Sequence, residues 1–250
     1  MLVVCQVLGD NMFDIDISIY SVTILLALIS NVLIVFKLSK KYEYESREII
    51  CLLLYELVGI IGGAKILTFL VNYKELNGQF NFITLGFSSY GAVIGALIFI
   101  ILFAFQFKKS FKELLYIFLP PIPLMYAIGK IGCFLTGCCY GIEYNGIFKV
   151  IYKYVDIPHK NTYLFPIQII ETIAFLGIFI YVMIKHKRNE FTLKTIGETF
   201  ILCGLSKFIL DFLRMSHTNI LISINQLISI VFILIGIVVY VYEWKKSRQL

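Results

Sequence analysis

The stretch ISINQLISIVFILIGIVVYVYEWKK, residues 222–246, carries no charged side chain before Glu243 and ends on Lys245 and Lys246. Wound as an α-helix at 1.5 Å per residue, positions 222–241 span about 30 Å, the thickness of a bilayer's hydrocarbon core. Six further runs of the same character precede it, at 17–36, 49–71, 88–107, 114–128, 166–184 and 195–213. The 250 residues are 59% hydrophobic and 15% charged, whereas about a quarter of an ordinary soluble domain is charged. These runs predict an all-α fold, a polytopic integral membrane protein with seven transmembrane helices. Residues 1–250 read as one domain, and the absence of internal repeats excludes the inverted-repeat plan of many transporters. Pro120, Pro121 and Pro123 each remove a backbone donor from the fourth run, which predicts a kinked or broken helix.

Lys and Arg outside the helices sort unevenly between alternate loops. Fourteen, among them Lys37, Lys40, Lys41, Arg47, Lys108 and Lys109, oppose six: Lys74, Lys130, Lys149, Lys153, Lys160 and Arg214. Basic residues are retained in the cytoplasm. The N-terminus is therefore expected outside, the C-terminus inside, and the long loop 129–165 between the fourth and fifth helices outside. Asp10, Asp14 and Asp16 stand where a signal peptide would carry Lys or Arg, so no cleavage is expected. The net charge of +6 lies largely in loops between bilayer spans, and no nucleic-acid partner is expected.

Ionisable groups inside membrane helices cost several kcal/mol each, which makes them candidates for function. In this orientation Lys65 lies about 9 Å below the outer end of its helix, and Lys207 and Asp211 lie about 10 Å and 5 Å below Arg214. Gln168 and Glu171 share a face at the outer end of the fifth helix, and Tyr90 opens the third. Together they predict a polar cavity in the outer half of the membrane. The plainer alternative is that Lys207 and Asp211 neutralise each other while Lys65 snorkels to the headgroups. Glu56 and Glu198 read as structural, and His159, His186 and His217 as solvated surface groups. Lys130, Lys207 and Arg214 at headgroup depth suit the phosphate of an outer-leaflet phospholipid. The residues taken alone imply lipid binding or headgroup transfer.

The segment GKIGCFLTGCCYG at 129–141 resembles the glycine-rich signature of prolipoprotein diacylglyceryl transferases, which is close to GRIGNFxNGExxG. FSSYGAVIGA at 87–96 is similar to that family's HGG segment, FPIQIIE at 165–171 to HPxQLYE, GLSKFILDFLR at 204–214 to YGxxRFxxEFxR, and SINQLISI at 223–230 to its final GQxLS segment. The resemblance implies transfer of a diacylglyceryl group from phosphatidylglycerol to the lipobox cysteine of a preprolipoprotein, with release of glycerol 1-phosphate. Its partners would be phosphatidylglycerol, the preprolipoprotein signal peptide and the lipid bilayer of a bacterial plasma membrane. It implies catalytic roles for Tyr90, Lys130 and Lys207. Substrate contacts would come from Gly132, Cys133, Gly137, Gly141, Gln168, Glu171 and Arg214, with the glycines letting backbone amides approach phosphate. The chain departs from the family where Tyr90 replaces His, Lys130 and Lys207 replace Arg, and Cys133, Thr136 and Cys138 replace the usual Asn and Glu.

In CFLTGCC, Cys133, Cys138 and Cys139 can be read as a structural disulfide, a metal site, reactive thiols or packing residues. The run lacks the paired spacing of a zinc site, and no metal or other cofactor is expected. Three function classes compete: a transferase, including a relative with another acceptor; a non-catalytic phospholipid-binding protein on the same scaffold; and, least supported, a transporter.

Overall fold

The computed structural model describes residues 19–42, 44–73, 85–152, 159, 161–217 and 221–248. Asp10, Asp14, Asp16, Lys74, Lys153 and Lys160 lie outside the described residues. Among the described residues eight α-helices run in order: α1 Ile19–Ser39, α2 Ser46–Val71, α3 Ser89–Gln106, α4 Phe111–Phe118, α5 Pro121–Leu135, α6 Ile167–Lys187, α7 Leu193–Asp211 and α8 Ile224–Lys246. Six segments among the described residues are long and apolar enough to cross a bilayer, with α4 and α5 counting together as Phe111–Leu135. The run at 195–213 is not among them; it forms α7, which carries Lys194, Glu198, Lys207 and Asp211 within its 19 residues. The chain is a multi-pass membrane protein. Large side chains such as Leu33, Phe105 and Val238 point outward, as a lipid solvent requires.

The prolines break the fourth run as expected, at little cost. Leu119 N–H closes α4 on Leu115 O at 3.0 Å, and α5 begins with Pro120 as its N-cap and Pro121 in its first turn. First-turn amides have no partner within a helix, so the prolines forfeit no bond. The other end of this run differs from expectation. α5 continues to Leu135, so Gly129, Lys130, Gly132 and Cys133 are helical rather than part of the outer loop. The helix stops one turn later, where Gly137 takes a φ of 69°. There Cys138 N–H reaches back to Cys133 O at 3.0 Å and Gly137 N–H to Phe134 O at 3.3 Å, the paired bonds of a Schellman cap.

Among the described residues serine starts three helices, α3, α4 and α8. Ser88 Oγ accepts from Gly91 N–H at the head of α3, and Ser223 forms a reciprocal capping box with Gln226 on α8. Glycines then set the helix spacing. On α2 and α3, Gly59 and Gly63 face Gly91 and Gly95, and a Cβ on Gly63 would lie 2.2 Å from Gly91 O. This is the close backbone approach that small residues four apart allow between membrane helices. Gly197 and Gly236 bring α7 against α8 in the same way. The loop between α5 and α6 folds back over the bundle through paired bonds between Val150 and Leu164, both 2.9 Å, and through Ile142 N–H to Leu213 O at 3.0 Å. The last bond ties the loop to the end of α7, beside Arg214.

Candidate functional site

Three helices deliver the polar groups, each with two of them one turn apart. α5 carries Tyr126 and Lys130, α6 carries Gln168 and Glu171, and α7 carries Lys207 and Asp211, with Arg214 just past its end. Glu171 is the centre. Arg214 Nη2 donates to its Oε1 at 2.6 Å and its Oε2 at 2.8 Å. Lys130 Nζ lies 3.0 Å from Oε2 and Lys207 Nζ 3.3 Å from Oε1. Tyr126 OH donates to Oε1 at 2.8 Å and accepts from Lys207 at 2.6 Å. The Glu171 side chain is 1% exposed, against 8%, 7% and 9% for Lys130, Lys207 and Arg214.

The pairing of Lys207 with Asp211 considered from the sequence does not form. Lys207 turns to α5 and α6, whereas Asp211 accepts from Ser223 Oγ and, at 3.3 Å, from Asn225 Nδ2. His217 Nδ1 lies 3.5 Å from its Oδ2 and Arg214 Nε 3.9 Å from its Oδ1. His217 and His186 are therefore buried packing residues, not solvated surface groups: His217 sits against Asp211 and Phe212, and His186 against Phe191. Lys65 donates to Leu85 O.

A cavity of about 260 Å³ opens beside this cluster, lined by Tyr90, Tyr126, Lys130, Lys207, Arg214 and Asn225 among others. Of the residues expected at the site, Tyr90, Lys130, Cys133, Lys207 and Arg214 meet in its wall. Glu171 stands behind that wall and organises the cations. Gln168 is fully buried, donating to Cys138 O at 2.8 Å and Tyr152 OH at 3.2 Å, and so fastens the α5–α6 loop to α6. A Cβ on Gly132 would lie 2.1 Å from Thr23 Oγ1 of α1, and one on Gly141 would lie 2.4 Å from Phe165 O. These two glycines allow close packing, and Gly137 ends α5. Glu56, read as structural, lines the same cavity.

Tyr90 OH pairs with Ser229 Oγ. Because Ser229 Oγ–H donates to Asn225 O at 2.7 Å, Ser229 Oγ accepts from the Tyr90 phenol. The sulfurs of Cys133, Cys138 and Cys139 lie within 4.8 Å of one another. Cys138 is disulfide-bonded, while Cys133 and Cys139 are free thiols. A sulfur held in a disulfide cannot also serve as a thiolate ligand, so the cluster offers a metal two thiols and not three.

Chemically, three cations against the two carboxylates of Glu171 and Asp211 leave this cluster with one unmatched positive charge. Such a cluster receives a monoanion with several oxygen acceptors, a phosphodiester above all. The prolipoprotein diacylglyceryl transferase family matches residues 10–242. The chain belongs to that family. A phosphatidylglycerol–prolipoprotein diacylglyceryl transferase of Clostridium tetani (strain Massachusetts / E88) is 28% identical over 235 residues, which cover 92% of this chain and 94% of that protein. A second such enzyme, from Clostridium perfringens (strain 13 / Type A), is 29% identical over 250 residues and 97% of each chain. One from Finegoldia magna is 26% identical over 243 residues and 95% of each chain. In this diacylglyceryl transferase family member, Lys130 and Lys207 both reach Glu171. The sequence reading missed Tyr126, which looked like one more aromatic in an apolar run. Its spacing of four from Lys130 was the available signal.

Proposed function

We propose that this protein transfers a diacylglyceryl group from phosphatidylglycerol to the lipobox cysteine of a preprolipoprotein, releasing glycerol 1-phosphate. The observation that carries the reading is the set of three cations held by one buried carboxylate at the edge of a membrane cavity. The phosphodiester binds against Lys130, Lys207 and Arg214, and its acyl chains take the apolar part of the cavity between Ile60, Val93 and Phe232. The acceptor sulfur attacks the glycerol carbon that bears the phosphate. A C–S bond forms, the C–O bond breaks, and the phosphate monoester leaves with the electron pair. Charge grows on that phosphate in the transition state, where fixed cations act most strongly. The same cations favour the thiolate form of the acceptor, and the departing phosphate takes its proton. Tyr90 serves as a neutral hydrogen-bonding wall group.

The proposal includes an outward-facing site, with loop 136–166 outside and the loop at Lys40–Tyr42 in the cytoplasm of a bacterial plasma membrane. Purified protein incubated with labelled phosphatidylglycerol and a lipobox peptide should yield a thioether-linked peptide and free glycerol 1-phosphate in equal amounts. Binding of the lipid without either product would identify a non-catalytic phospholipid-binding protein on the family scaffold. Impermeant maleimide in intact cells should label a cysteine engineered at Asn145 and spare one at Lys41.

A further inference from the structure

Lysine is a poor substitute for arginine where geometry matters, because a compact ammonium on a flexible stem has no plane to orient it. Two such lysines stand at this site, and what orients Lys207 is a phenol. Its Nζ lies 2.6 Å from Tyr126 OH and 3.3 Å from Glu171 Oε1. Tyr126 has one proton, which it donates to Glu171 at 2.8 Å. The phenol oxygen can then only accept, from Lys207 and, at 3.5 Å, from Arg214 Nη2, so the direction of the Lys207 bond is fixed. Two of the three ammonium donors thereby have acceptors on the protein, and the third remains for a ligand.

The ring acts as well. Its centroid is 4.8 Å from Lys207 Nζ and 5.3 Å from Lys130 Nζ, so the phenol stands beside two ammonium groups on different helices. Phe175 of α6 stacks against the ring at 4.1 Å and holds it in place. Without the hydroxyl, nothing would stop Lys207 from collapsing onto Glu171 Oε1, away from the cavity.

We infer that Tyr126 is a positioning residue that holds Lys207 toward the phosphate of the lipid donor, supplying from outside the orientation that a guanidinium has built in. The inference rests on the reading that the cavity takes a phospholipid phosphate. Its test is a cycle of four proteins: the parent, Tyr126→Phe, Lys207→Arg, and both changes together. Phenylalanine keeps the ring and its packing on Phe175, and thermal unfolding in detergent confirms that each variant folds. In the parent background Tyr126→Phe should lower kcat for transfer by roughly 10- to 100-fold with KM for phosphatidylglycerol little changed, as for a misplaced transition-state group. In the Lys207→Arg background the same change should cost less than about threefold, because the guanidinium needs no phenol. Equal losses in the two backgrounds would overturn the role assigned to Tyr126, as would an undiminished kcat in Tyr126→Phe. A second readout needs no turnover. The Lys207 ammonium should give a slowly exchanging ¹⁵N resonance in the parent protein that is lost in Tyr126→Phe; a resonance unaffected by the change would also overturn the inference. Absence of transfer by the parent protein would strike the proposed function, and the ¹⁵N comparison would still decide whether Tyr126 anchors Lys207.

Discussion

Glu171 and Glu56 are both buried glutamates beside one membrane cavity, at 1% and 2% exposure, yet their surroundings have almost nothing in common. Glu171 on α6 collects two lysines, an arginine and a phenol from α5, α7 and the segment after it. Glu56 on α2 accepts one hydrogen bond, from Asn31 Nδ2 of α1 at 2.8 Å, and meets no cation within salt-bridge distance among the described residues. One carboxylate thus assembles charge from two other helices and the segment after α7 for an incoming anion. The other joins α1 to α2 through a single amide. Burial by itself does not mark an intramembrane acid as functional; the sign and origin of its partners do.

The largest effect that this contrast predicts is for Glu171→Ala. It leaves three cations facing one another at low exposure, and removal of one partner from a buried pair costs about 3–5 kcal/mol. Folded yield and the thermal midpoint in detergent should both fall sharply, and transfer should be lost. A variant that folded and turned over normally would mean that the cations do not depend on Glu171.

Next in size is Lys130. Lys130→Ala removes a charge from the leaving phosphate and should cost roughly 10²- to 10³-fold in rate, the effect of losing one oxyanion donor. Lys130→Arg keeps the charge and should stay within about tenfold of the parent. Single-turnover release of glycerol 1-phosphate measures both, and equal rates for the two variants would separate Lys130 from the phosphate.

The smallest effect should be that of Glu56→Gln. The amide can still accept from Asn31 Nδ2, so stability should change by no more than about 1 kcal/mol, and transfer should remain within about threefold of the parent. If Glu56→Gln abolished transfer while the protein stayed folded, the two glutamates would have to be regarded as parts of one catalytic device.

Some of this was legible in the residue order. Helix count and approximate limits follow from apolar length, because no lipid-facing backbone can leave its hydrogen bonds unmade. The break at Pro120 and the candidate set Tyr90, Lys130, Lys207 and Arg214 also follow from residue type and position. The end of α5 did not, since Gly129 and Gly132 look like loop residues until Thr23 of α1 is seen packed against one of them. The close pairing of α2 with α3 was written in Gly59, Gly63, Gly91 and Gly95 and could have been read from that spacing.

The sequence by itself determined that this chain crosses the membrane several times and carries cations at a depth where lipid tolerates them poorly. That much depends on local composition, and each helix settles its own hydrogen bonds. Only the tertiary structure decided which charge answers which. Lys207 had Asp211 one turn away on its own helix, yet it is Tyr126 and Glu171 from two other helices that receive it. Asp211 is claimed by Ser223 and Asn225 at the start of α8 and its cap. A short-range pairing rule cannot foresee this. Partner choice in a low-dielectric interior is settled by which helices pack together and by every competing donor they bring within about 3 Å, the reach of a hydrogen bond.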